Sequence, residues 1–186
     1  MTDMPRDDDF GRLERPGGGK AELHFERHLA APLETVWRAL TEPEHLEAWF
    51  PTTIEGERAA GAPLRFAFRD VAMPAMAGEM LACEPPTLLE MNWGGDVLRF
   101  DLRPDGGGCV LDFTCRFDEL GKAARDGAGW HACFDMLAHE LGGTPAPWKS
   151  SADRWREVRD AYVERFGPEA SSSPPPREWV EAHGPA

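Results

Sequence analysis

The sequence predicts an α+β domain in which a strongly curved antiparallel sheet wraps around one long C-terminal helix, with a two-helix hairpin after the first strand. Apolar and polar residues alternate through much of the stretch 52–118, the pattern of strands with one covered and one wet face. The segments 33–50 and 130–166 switch to helical spacing. With 186 residues and a 41% apolar share, the chain suits a single core that buries enough surface to offset chain entropy.

Residues 1–19 end in Pro16-Gly17-Gly18-Gly19 and read as a flexible leader before a domain over residues 20–166. Gly19-Lys20 is not a phosphate loop, since that motif needs Gly where Glu14 stands and Ser or Thr where Ala21 stands. Leu23 to Leu29 alternates as a half-buried strand. Pro32 then fits a first helical turn, and Leu33, Val36, Trp37 and Leu40 fall on one face. Thr41-Glu42-Pro43-Glu44 has the form of a capping box between this helix and the next, which carries Leu46, Trp49 and Phe50 before Pro51. In the meander that follows, Phe66 and Phe68 share a face, as do Met80 and Ala82. So do Leu89, Met91 and Trp93, then Leu98, Phe100 and Leu102, then Leu111, Phe113, Cys115 and Phe117. Gly94-Gly95-Asp96 and Asp105-Gly106-Gly107-Gly108 mark turns. Trp130, Phe134, Leu137 and Leu141 lie along the covering helix, and Trp155, Val158, Tyr162 and Phe166 along a further one. Residues 167–186 read as a Pro/Ser-rich tail.

The 33 acidic side chains against 20 basic ones leave a net charge of −13. Such a chain is a poor partner for phosphate backbones and anionic membranes, so neither nucleic acid nor membrane is expected. No apolar run approaches the ~18 residues of a spanning helix. The first residues, Met1 to Asp9, have neither a basic start nor an apolar stretch to direct secretion, and a cytoplasmic location is expected. Cys83, Cys109, Cys115 and Cys133 form no C-x-x-C pair and lie in apolar segments, which suits reduced, buried thiols.

The run Phe25-Glu26-Arg27-His28-Leu29-Ala30-Ala31-Pro32-Leu33-Glu34-Thr35-Val36-Trp37, continuing through Thr41-Glu42-Pro43-Glu44-His45-Leu46-Glu47-Ala48-Trp49-Phe50, resembles the opening signature of the SRPBCC superfamily. Within it the chain resembles the branch named for the activator of the heat-shock-protein-90 ATPase. Gly78 to Glu84-Pro85-Pro86, Trp93 and Gly129-Trp130-His131 match later parts of that pattern, over roughly residues 22 to 166. The resemblance implies a START-like or Bet v 1-like helix-grip fold. It leaves function open among lipid carriers, hormone receptors, cyclases, oxygenase subunits and co-chaperone domains.

In that fold the sheet and long helix often stand apart. An empty ~300 Å³ void at ~24 cal/mol per Å³ would cost about 7 kcal/mol, so either bulky side chains or a ligand and water fill it. Phe66, Phe68, Met80, Met91, Trp93, Phe100, Phe113, Trp130 and Phe134 are the candidate cavity lining for a small apolar or amphipathic ligand. The alternatives are a co-chaperone-like protein-interaction module and a cyclase- or hydrolase-type enzyme of the same fold. No catalytic residues, cofactor or metal are assigned: no nucleophile has a base beside it, and Glu90, Asp101 and Asp112 sit in the outward phase. His131, Asp135 and His139 read as one solvated helix face. Asp70 to Gly78, with Met73 and Met76, reads as an ordinary connection between strands in preference to a mobile rim over a cavity mouth. Arg27 shares phase with Phe25 and Leu29 and is expected to reach inside, where it either orients a ligand's acid group or, the commoner case, forms a structural ion pair with a carboxylate such as Glu79 or Glu84.

Overall fold

The computed structural model describes residues 7–185; residues 1–6 and Ala186 lie outside the described part. Seven antiparallel strands form one sheet: β1 (Arg12–Gly17), β2 (Lys20–Leu29), β3 (Pro63–Phe66), β4 (Met76–Glu84), β5 (Leu88–Trp93), β6 (Asp96–Asp105) and β7 (Gly108–Phe117). Their spatial order is β1-β2-β7-β6-β5-β4-β3, so the meander β3 to β7 closes back on β2. The helices are α1 (Leu33–Thr41), α2 (Pro43–Trp49), α3 (Ala123–Gly142), α4 (Ser151–Phe166) and α5 (Arg177–His183). This is the α+β helix-grip architecture, with α3 as the gripped helix.

Alternation sets the inner face. Phe25, Phe113, Phe100 and Leu89 are consecutive cross-strand neighbours on β2, β7, β6 and β5, and all are buried. Trp130, Phe134 and Leu137 of α3 press down on them. On the outer face Glu90 and Asp101 pair with Arg99, and Asp112 with Arg103, so the predicted outward carboxylates are held in a partly wet charge lattice. A bulge in β4 changes one assignment. Met80 pairs with Met91, but Ala82 pairs with Glu90 and Cys83 with Leu89, so Cys83 rather than Ala82 shares the inner face. The additional residue, Leu81, is turned outward.

The hairpin α1–α2 is stapled by Trp49, whose indole N–H donates to the Ala39 carbonyl at 2.9 Å. Thr41 does not cap α2; its hydroxyl donates back to the Trp37 carbonyl within α1, and Pro43 opens α2 behind Glu42. Behind α3, α4 covers its other side. Gly127 makes this possible: a Cβ there would sit 2.9 Å from the Tyr162 ring. Gly143, at φ 62, closes α3 in the left-handed conformation.

The leader and the tail are more ordered than the sequence suggests. Residues 12–17 form edge strand β1, joined to β2 through Gly17-Gly18-Gly19, all at positive φ. Ahead of β1, Asp7–Asp9 form one 3₁₀ turn and Phe10 packs on the His131 and Tyr162 rings. In the tail, Ala170 is buried, Ser173 bonds through its N–H to the Gly121 carbonyl, and α5 sets Trp179 4.8 Å from Trp155. The four cysteines are free, and three of them are buried. No helix of the described residues is long and apolar enough to cross a membrane.

Candidate functional site

The residues expected to line a cavity meet instead in one aromatic cluster. Phe66, Met80, Met91, Phe100, Phe113, Trp130 and Phe134 are buried, while Phe68 and Trp93 are half-buried at the β3–β5 end. The Phe113 ring lies 4.8 Å from Phe100, 4.8 Å from Trp130 and 5.0 Å from Phe134, centroid to centroid. Trp49 stacks on Phe134, and Trp93 meets Trp130 edge-on at 5.8 Å. Rings at these separations are in contact, so the centre of the grip is packed by its own side chains.

Open space lies to one side. A cleft of about 580 Å³ runs between β2, α3 and the segment before β1. The Asp7–Asp9 turn and Phe10 form one wall, Phe134, Asp135 and Ala138 of α3 the other, and β2 contributes Arg27 and Leu29 together with its outer residues His24, Glu26 and His28. Of the residues expected to line a cavity, Phe134 alone reaches it.

Arg27 is the unusual member. Strand phase places it on the apolar face, and its side chain is only 7% exposed. Its guanidinium lies against the Phe25 and Phe134 rings, at 5.7 and 6.0 Å. Its partners are Asp9 at 3.4 Å and Asp135 at 3.7 Å, rather than Glu79 or Glu84, which are exposed on β4. The buried Nε and Nη2 have no hydrogen-bond partner among the described residues.

Asp135 links this cation to a second buried group. It accepts from Arg154 Nε at 2.7 Å and lies 3.3 Å from His131 Nε2, while His131 Nδ1 is 3.0 Å from the Tyr162 hydroxyl. The Gly11 N–H donates to that hydroxyl at 2.8 Å, pinning the segment before β1 to α4. His131 therefore does not lie on a solvated face with Asp135 and His139. It is buried between α3 and α4, and His139 is apart, against Thr144. The helix has two covered sides, which a single amphipathic stripe does not describe.

Burial pushes the His131 imidazole down, with Asp135 offsetting part of the effect and Arg27 and Arg154 adding to it. Burial alone would raise the Asp135 carboxyl, but His131, Arg27 and Arg154 together outweigh it and hold the group below its ordinary range. Burial also pushes the Tyr162 phenol well up. A carboxylate held ionised by two guanidiniums is a weak general base, and the His–Tyr pair is sealed from the cleft. The arrangement suits holding a polar group more than moving a proton. Among the described residues, Glu14, Glu22 and His24 are the group with metal-ligand spacing. They lie on the wet face of β1 and β2, where His24 Nε2 is 2.5 Å from a Glu22 carboxylate oxygen.

The family model described as activator of Hsp90 ATPase homolog 1-like protein matches residues 30–142, more than half of the chain. The chain belongs to this family. Among curated proteins no relative matches it. Solved structures share the fold of this Hsp90-activator-like chain. The conserved protein of unknown function EF2215 from Enterococcus faecalis is 22% identical, covering 84% of this chain and 90% of its own, with a TM-score of 0.70. The protein encoded by gene BPP1335 from Bordetella parapertussis is 24% identical over 89% of this chain and 95% of its own, at 0.65. CalU16 from Micromonospora echinospora is 22% identical over 84% and 98%, at 0.64. At these identities the likeness carries the fold alone. The family's helix-grip fold supports a ligand-binding or interaction module in general.

Proposed function

We propose that this chain binds a small amphipathic molecule, in the side cleft between β2 and α3 rather than at the centre of the grip. The observation that carries the reading is the pairing of a filled aromatic centre with an open 580 Å³ cleft that has a buried guanidinium in its wall. That volume is within the range of small-molecule sites. Leu29, Phe134 and Phe10 offer apolar contact. Removing roughly 200 Å² of a ligand's apolar surface from water contributes about 5 kcal/mol at best, which alone corresponds to roughly 0.1–1 mM. Tighter binding needs a polar anchor, and Arg27 supplies one.

The co-chaperone-like alternative draws support from family membership. Docking through an apolar face requires a sizeable exposed patch, and Leu81 is the large apolar side chain that stands out as exposed among the described residues. That weighs against it. The enzyme alternative has only the exposed His28–Glu26 pair, 3.2 Å apart on the outer side of β2, as an acid–base pair among the described cleft residues, with no nucleophile beside it.

Amide chemical-shift mapping with a ten-carbon probe series tests the proposal. Shifts concentrated at residues 24–29 and 134–138 are expected. Shifts centred on Met91, Phe100 and Phe113 would move the site into the grip, and a spectrum unchanged by every probe would overturn ligand binding.

A further inference from the structure

We infer that Glu14, Glu22 and His24 form a site for a borderline divalent cation of the zinc kind, which clasps edge strand β1 to β2. The inference stands independently of the ligand-binding reading.

Strand register brings the three side chains together. Glu14 and Glu22 are direct cross-strand partners on β1 and β2, and His24 follows Glu22 on the same face. Two carboxylates opposite one another repel, and a cation between them relieves this. Among the described residues no lysine or arginine supplies it. Arg116, the partner of Glu22 on β7, is turned to Glu90 at 3.4 Å, and the ion-pair contacts of Glu14 and Glu22 are both with His24. Glu14 belongs to a segment that the sequence presents as a leader, so no motif joins it to the other two.

The imidazole decides the chemistry. Both carboxylates face one nitrogen, Nε2, at 2.5 Å for Glu22 and 3.8 Å for Glu14. The other nitrogen, Nδ1, lies 3.4 Å from the Thr114 hydroxyl on β7. A metal-binding histidine is held in this way, with one nitrogen to the ion and the other fixed by a neighbouring polar group. The other histidines that meet two carboxylates lack this convergence. His28 meets Glu26 through Nε2 and Asp105 through Nδ1, and His45 meets Glu42 through Nε2 and Glu140 through Nδ1. His24 Nε2 is also a buried atom with no hydrogen bond among the described residues, so the nearby Glu22 oxygen lies off the direction of an N–H. Its lone pair is available to an ion there instead.

The three ligand atoms lie within 4.8 Å of one another. Around tetrahedral zinc, with bonds of about 2.1 Å, ligand atoms stand roughly 3.4 Å apart, so side-chain shifts of about 1 Å complete the shell. Glu14, the most exposed of the three, has room to close in. One imidazole with two carboxylates departs from the oxygen-only shells of calcium and magnesium, and it lacks the thiolate that copper(I) prefers. It suits zinc and its divalent neighbours, and three protein ligands leave a fourth position to water.

The test uses the full chain, stripped by a chelator and free of any purification tag, with cobalt(II) as the spectroscopic probe and zinc as the competitor. One equivalent of cobalt is expected to give the visible band of a tetrahedral site without the near-ultraviolet thiolate band of a cysteine site, and zinc is expected to displace it. Zinc at about a hundredfold excess over its Kd is expected to raise the thermal midpoint by roughly 5–10 °C. His24→Gln is expected to abolish binding, and Glu22→Gln to weaken it about tenfold or more. Thr114→Val keeps the side-chain shape and is expected to weaken zinc about tenfold by freeing the ring. His45→Gln is expected to bind as the wild type does. Far-UV circular dichroism checks that each variant is folded. Absence of saturable binding overturns the inference and leaves His24 as a protonated partner of the two glutamates. Binding that survives His24→Gln, or that carries the thiolate band, also overturns it by placing the ion elsewhere.

Discussion

Replacing Phe113 by alanine tests whether the grip is filled. The Phe113 side chain is buried at the centre of β7, in contact with the Phe100, Trp130 and Phe134 rings. Its transfer from water contributes about 2–3 kcal/mol. If the neighbours relax only in part and leave ~80 Å³, the cavity adds ~2 kcal/mol at ~24 cal/mol per Å³. The expected loss is therefore about 4–5 kcal/mol, a large share of the ~5–15 kcal/mol that holds a domain together. At ~2–4 °C per kcal/mol for a chain of this size, the midpoint should fall by roughly 10–15 °C. Urea unfolding followed by far-UV circular dichroism measures the free energy, and a thermal scan measures the midpoint. Benzene should raise the midpoint of the variant and not of the wild type, since an apolar hole of that kind stays dry and accepts it. A loss below about 1 kcal/mol would mean that the ring already borders empty space, and the packed-centre argument would be wrong.

Three other outcomes are expected. His131 titrates low because it is buried, facing Asp135, Tyr162, Arg27 and Arg154. The unfolded chain therefore takes up the proton first, and stability should fall as pH drops below about 6.5. Urea midpoints from pH 8 to pH 5 should show that slope reduced in His131→Gln; an unchanged slope refutes the assignment. Gly127→Ala places a methyl 2.9 Å from the Tyr162 ring and should cost about 1–3 kcal/mol in the same assay by forcing α4 outward; an equally stable variant would show that the helices have slack. In native protein at pH 8 a disulfide reagent should modify Cys83 first, because Cys133 is buried with its thiol pushed up to about 12, whereas in urea all four should react together; early modification of Cys133 counts against its burial.

The helix-grip order was legible because most of its strands are wet on one side and alternate cleanly. The misreadings have specific physical sources. β1 escaped notice because Leu13 is its sole aliphatic residue: an edge strand held by backbone hydrogen bonds leaves little hydrophobic pattern. The β4 bulge moved Cys83 inward through one additional residue, which alternation cannot reveal. A single buried stripe on α3 places His131 in water, whereas the helix is covered on two sides. The small residues Gly127, Ala128 and Ala132 were the available sign that a second helix lies against α3. Arg27 was found by strand phase, but its partners were not. Asp9 and Asp135 reach it through tertiary folding, from a segment read as a loose leader and a helix face read as solvated.

The pinning of the segment before β1 attaches one wall of the cleft to a part of the chain that the family model does not reach. The stretch matched by the family model starts at residue 30, downstream of Arg27, Asp9 and the Gly11 tether, and stops short of Arg154 and Tyr162 on α4. The rings of the packed centre, from Phe66 to Phe134, thus lie inside the matched stretch, while Arg27 and the wall that faces it stand outside it. On the proposed reading, substitutions ahead of β1 would reshape the cleft and leave that aromatic hub intact.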